Sequence, residues 1–182
     1  MKKIVWNSPV VLSFAFISLG VLLSGYATNG TSTQLLFTCY RSRFSDPLFY
    51  VRLFTHVLGH ANFEHYLSNM MIFLLIGPIL EEKYGSEKIL KIMIITALVT
   101  GIVHVIFFPD TGLLGASGIV FAFIILVSFT GNEKGTIPLT FLLIAGLYVG
   151  DQVMSLFAAD NISHLTHILG GVIGAFYGLK GK

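Results

Sequence analysis

Six apolar stretches, separated by short polar breaks, set the pattern of this chain. They run at about Val10–Ala27, Glu64–Leu80, Ile89–Phe108, Ser117–Thr130, Ile137–Phe157 and His164–Leu179. A helix that crosses the hydrocarbon core needs about 20 mostly apolar residues, with a range of roughly 17–25. The pattern therefore predicts six spanning helices in an all-α polytopic membrane protein. The fourth stretch is short. Its 14 residues extend only about 21 Å as a helix, against a core about 30 Å thick. The connections are brief except for residues 28–63, which are long and mix aromatic, apolar and charged positions.

Composition agrees with the pattern. The chain is 54% hydrophobic and 11% charged, and its mean hydropathy is +0.82. Soluble domains carry about 25% charged residues. The 182 residues fit one domain, 1–182. A net charge of +2 gives no basis for nucleic-acid binding. The single cysteine, Cys39, cannot form an intrachain disulfide and reads as a bystander. The first stretch has a second reading. Lys2 and Lys3, an apolar run and Gly25-Tyr26-Ala27 also resemble a signal peptide with its cleavage site.

Charge sets an orientation. With the N-terminus inside, the inner segments carry Lys2, Lys3, Lys83, Lys88, Lys91, Lys134, Lys180 and Lys182, and the outer ones Arg41, Arg43 and Arg52. That excess favours N-in and C-in; a bacterial cytoplasmic membrane is the expected location. In the long outer loop, Phe37, Tyr40, Phe44, Phe49, Tyr50 and Phe54 interleave with those arginines and Asp46, which suggests a part-inserted interfacial element. Asp46-Pro47 reads as a turn within it.

Spans two, four and six all begin on the outer side. Span two opens with His65 and Asn69, four apart and so on one helix face. Span four opens with Ser117, and span six with His164 and His167. Polar groups at one membrane level on three helices read as functional. Because span four is short, Ser117 is expected on the order of 10 Å below the outer interface. Irregular backbone leading to it is tolerated there only against protein or a wet cavity. The chemistry that fits is nucleophilic acyl transfer. Ser117 needs a base in reach, and His167 can take and return a proton. His65, Asn69 and the Ser117 backbone N–H, at a helix start, are candidate oxyanion donors. With no acid in a span near this level, a Ser–His dyad is expected.

These residues resemble a known family, the rhomboid intramembrane serine proteases. The likeness runs from about Arg52 to Gly178. It is carried by Arg52-Leu-Phe-Thr-His56, by His60 with His65 and Asn69 in a His-x4-His-x3-Asn pattern, and by Tyr84-Gly85-Ser86. Gly115-Ala116-Ser117-Gly118 and His167-Ile-Leu-Gly-Gly171-Val-Ile-Gly174 complete it. The resemblance implies a six-transmembrane-helix bundle with a short central fourth helix, in its minimal form without a further soluble domain. It implies Ser117 as nucleophile, His167 as base, and His65 and Asn69 as oxyanion donors. Gly115, Gly170 and Gly174 would be close-packing sites. The implied substrates are single-span membrane proteins, met in the bilayer; no cofactor and no metal are implied. Many bacterial members carry Tyr four residues after the serine, stacked on the histidine; here Phe121 takes that place. The Trp often preceding the loop arginine is Val51 here.

The remaining polar residues have plainer expectations. His60 braces the site through loop backbone, and His56 shapes the loop. His56, His60 and His65 lack the His-Glu-x-x-His spacing of a zinc site. His104 is expected to be a satisfied interior group. His164 either lines the cavity or donates to the oxyanion. Asp151, alone in an apolar run, sits near the end of span five or pairs inside the bundle. Two other functions compete. One is a catalytically silent rhomboid-like protein that binds membrane clients; Ser117 and His167 argue against it. The other is a small transporter, which would be expected to show internal repeats that this sequence lacks.

Overall fold

The six apolar stretches fold into helices, and the fourth, the shortest of the six, packs in their midst. The computed structural model describes residues 3–131, 136–155 and 162–180. The helices are α1 (Pro9–Ala27), α2 (Thr31–Leu36), α3 (Pro47–Thr55), α4 (Phe63–Tyr84), α5 (Ser86–Phe107), α6 (Ser117–Val127), α7 (Leu139–Ser155) and α8 (Ile162–Lys180). A 3-10 turn, His56–Leu58, follows α3. Among the described residues no strand forms. Helices α1, α4 and α5 are each long and apolar enough to cross a membrane, and the protein is an integral membrane protein.

Helix boundaries follow from local chemistry. Pro47 occupies the first turn of α3, where its missing N–H costs nothing, and the Asp46 side chain accepts from Leu48 N at 3.0 Å. Asp46-Pro47 is thus a helix start, not an isolated turn. The long loop of residues 28–63 holds two short helices, α2 and α3. Asn62 caps α4 by accepting from His65 N at 2.8 Å. Helix α4 continues past the expected Leu80, through Pro78, and stops at Gly85, whose φ of 83° favours glycine.

Helix α6 ends three residues before the expected Thr130. Ser128 Oγ donates to the Ile125 carbonyl and Thr130 Oγ1 to that of Val127, each at 2.6 Å, so hydroxyls compete for the last-turn carbonyls. Its 11 residues make a helix only about 16 Å long. Ile119, Phe123 and Leu126 are fully buried in it. Phe123 stacks on Phe73 of α4, ring centroids 5.3 Å apart.

Helix α8 packs along α6 through glycine. A Cβ on Gly170 would collide with the Gly118 carbonyl oxygen, and one on Gly174 with that of Ala122. Small residues of this kind let membrane helices approach closely. On the opposite side, α1 is tied to α4 by a buried carboxylate. Glu81 accepts from Val10 N and Val11 N, each at 3.0 Å, and from Ser86 Oγ at 2.7 Å. A side chain 70 positions away thereby satisfies orphan donors at the α1 N-terminus, where the helix dipole also favours a carboxylate.

Candidate functional site

The segment that delivers Ser117 to the start of α6 is held from both sides. Cys39 and Leu113 exchange two backbone hydrogen bonds of 2.8 Å, joining the first loop to this segment. Gly115 N donates to the His56 carbonyl at 2.9 Å. The His56 ring, 1% exposed, donates from Nε2 to Ala97 O of α5 at 3.0 Å. The His104 ring of α5 donates in the same way to Thr111 O at 3.2 Å. Two buried histidines therefore fix irregular backbone whose polar groups would be costly to leave unpaired in a membrane.

The first loop is itself braced by Arg52, 1% exposed. Its Nη2 donates to Asp46 Oδ2 at 2.6 Å and to Ser42 Oγ at 2.8 Å, and its guanidinium lies over the Tyr40 ring. The Arg52 guanidinium holds the Asp46 carboxyl below its ordinary range. Burial pushes the Cys39 thiol up to about 11, which keeps it protonated and inert.

Gly115 makes the decisive turn. Its φ of 124° lies where L side chains strain, and a Cβ there would stand 2.8 Å from His65 Nε2. The absence of a side chain thus lets the segment fold against the His65 ring. Ala116 follows without a side-chain cap, so none covers the first N–H groups of α6.

These elements enclose an open cavity of about 490 Å³. Ser117 and Phe121 of α6, His167 of α8, and His65, Ser68 and Asn69 of α4 line it, with Leu113, Leu114 and Val120 among its apolar walls. The structure thus brings Ser117, His167, His65, Asn69 and Phe121 together. Phe121 lies flat against His167, ring centroids 4.3 Å apart and planes 10° from parallel. Asn69, 6% exposed, spends one Nδ2 hydrogen on the His65 carbonyl at 2.8 Å, and its amide has a second.

His60 and His164 each contact a ring that lines the cavity. His60 is 2% exposed, donates from Nδ1 to Leu58 O at 3.2 Å, and meets the His65 ring edge-on at 5.1 Å. Burial first, and then the neighbouring His65, push His60 down to about 4, so its ring is neutral. His164 does not line the cavity. It meets His167 edge-on, with centroids 6.3 Å apart. The side chain of Asp151 lies outside the described residues. The bracing roles of Cys39 and His104 escaped the sequence, because each is a contact with a segment that carries no pattern of its own.

Comparison with known proteins gives the chain a family. The family model described as Rhomboid domain matches residues 48–181. The chain is 28% identical over 94% of its length to the Bacillus subtilis protein named Rhomboid protease GluP, and spans 34% of that relative. It is 26% identical over 71% of its length to the Haemophilus influenzae Rhomboid protease GlpG, covering 70% of it. It is 31% identical over 64% of its length to the Toxoplasma gondii Rhomboid-like protease 3, covering 43% of it. The chain therefore spans between about a third and a half of two of these relatives.

Proposed function

Since the chain belongs to the rhomboid family, we propose that it is an intramembrane serine endopeptidase, cutting peptide bonds in or near the spans of single-span membrane proteins. The observation that carries this reading is the shared cavity. Ser117, His167, His65 and Asn69 come from three helices and open into one space. The relatives named as proteases support the same reading.

In this mechanism His167 takes the Ser117 hydroxyl proton as Oγ attacks the scissile carbonyl carbon. The negative charge that develops on the carbonyl oxygen is met by the Ser117 backbone N–H, the free Asn69 amide hydrogen and the His65 ring. Collapse of the tetrahedral intermediate breaks the C–N bond. His167 returns the proton to the leaving amine. Water from the cavity then repeats the sequence on the Ser117 ester and frees the acid. A Ser–His dyad suffices, with Phe121 fixing the plane of the base. The excess of lysines on the inner segments supports an N-in, C-in arrangement in a bacterial cytoplasmic membrane, with the cavity open to the outer side.

The test is cleavage of a model single-span substrate by purified protein in detergent or liposomes. Ser117→Ala and His167→Ala should each lower the rate on the order of a hundredfold or more. Equal cleavage by wild type and both variants would overturn the proposal.

A further inference from the structure

A second cavity, of about 420 Å³, opens between α3 and the outer part of α5. Phe49 and Leu53 of α3 and Ile102, Val105 and Ile106 of α5 make its walls, with Arg41 at its rim. The α5 positions fall three and four apart, on one helix face. Ile106 is 60% exposed, so the cavity borders the outside of the bundle, where lipid lies. Its depth fits a bilayer. Helix α5 has 22 residues and extends about 33 Å, close to the thickness of the core. Ile102 is about 8 Å from its end. The slot therefore starts at the interface and descends into the acyl region.

The rim carries unpaired positive charge. In the first loop Arg52 is paired with Asp46, at 2.6 Å. Residues 28–63 hold Arg41, Arg43 and Arg52 against a single acidic residue, Asp46. Arg41 is exposed and has no carboxylate partner among the described residues. An apolar slot beneath a free guanidinium complements one kind of molecule that surrounds the protein, an anionic lipid.

We propose that this cavity seats one anionic glycerophospholipid, an acyl chain between α3 and α5 and the phosphate on Arg41. The seat adjoins the candidate active site without sharing it. Phe49, Leu53 and Val105 pack in one cluster with Cys39 and Leu113, and Leu113 also lines the Ser117 cavity. A chain in the slot fills the far side of that cluster and steadies the segment 108–116 that leads to Ser117. Neither step depends on the protease reading.

Native mass spectrometry of the full chain, released from micelles containing equal phosphatidylglycerol and phosphatidylcholine, tests the seat. Wild type should retain one phosphatidylglycerol about fivefold in preference to phosphatidylcholine. Arg41→Gln should erase that preference. Ile106→Trp, which fills the slot, should lower retention of both lipids. Arg43→Gln, outside the lining, should leave the preference intact. Amide exchange of residues 108–116 should slow with phosphatidylglycerol in wild type and not in Arg41→Gln. Equal retention of the two lipids by wild type overturns the seat, as does a preference lost equally in Arg41→Gln and Arg43→Gln. Unchanged exchange with the lipid bound overturns the coupling.

Discussion

Phe121 and His167 are stacked, ring on ring, across the α6–α8 interface, at 4.3 Å between centroids. A stacked pair is worth about 0.5–1.5 kcal/mol beyond its buried area, and here it sets the orientation of the proposed base. Phe121→Ala should therefore lower kcat about two- to tenfold with little change in KM. Phe121→Tyr keeps the ring and should retain activity. Steady-state kinetics on one model substrate separate the two, and an unimpaired Phe121→Ala would show that the stack does not position His167.

Adjacent glycines on α8 should respond very differently. A Cβ on Gly170 meets the Gly118 carbonyl, whereas among the described residues one on Gly171 finds only Ile125 Cγ1 at 3.6 Å, an ordinary contact. Gly170→Ala should destabilise the protein by about 1–3 kcal/mol and suppress activity by parting His167 from Ser117. Gly171→Ala should stay within about 0.5 kcal/mol of wild type. Thermal midpoints in detergent decide this, and equal midpoints would contradict the close α6–α8 contact.

Glu81 should matter for stability and not for the site. Glu81→Ala removes the acceptor for Val10 N, Val11 N and Ser86 Oγ. The expected loss is about 2 kcal/mol. Glu81→Gln keeps one side-chain oxygen and should lose less. At a temperature where the variants remain folded, substrate turnover should match wild type. A slower Glu81→Ala enzyme with an unchanged melting point would sink this assignment.

Acid should destabilise the protein through two loop histidines. Burial pushes His56 and His60 each down to about 4, while the unfolded chain takes up protons near 6.5. Between those values the unfolded state binds more protons, so stability rises with pH. The contribution is complete above about pH 6.5 and is lost as pH falls through about 4. In melting curves from pH 7.5 to 4.5, His60→Gln should show a shallower decline than wild type. Parallel declines would remove His60 from the account.

The sequence made some of this readable and hid the rest. The long helices were legible because each is an apolar run set off from the next by a polar break, whereas the cap Asn62 before α4 emerged only in the structure. The meeting of Ser117, His65, Asn69 and His167 in one cavity was legible because each polar group stands near the start of an alternate run, and span parity puts those starts on one side. Glu81 gave no such sign. Its α1 partners, Val11 and Val10, lie 70 and 71 positions away, and on α4 alone it looks like an ordinary charged helix end beside Glu82 and Lys83. His104 was legible as interior, but not as the group that pins Thr111. The fourth helix was read three residues too long because Ser128 and Thr130 lie in an apolar context, and only their back-bonded hydroxyls show that the helix has stopped.

The central claim is that Ser117 is a nucleophile activated by His167. Its most direct measurement is labelling of the folded, detergent-solubilised protein with a fluorophosphonate, followed by mapping of the modified residue. The account predicts a single adduct on Ser117, absent from Ser117→Ala and slowed on the order of a hundredfold or more in His167→Ala. An adduct on another residue, or labelling of Ser117 at an unchanged rate without His167, would contradict it.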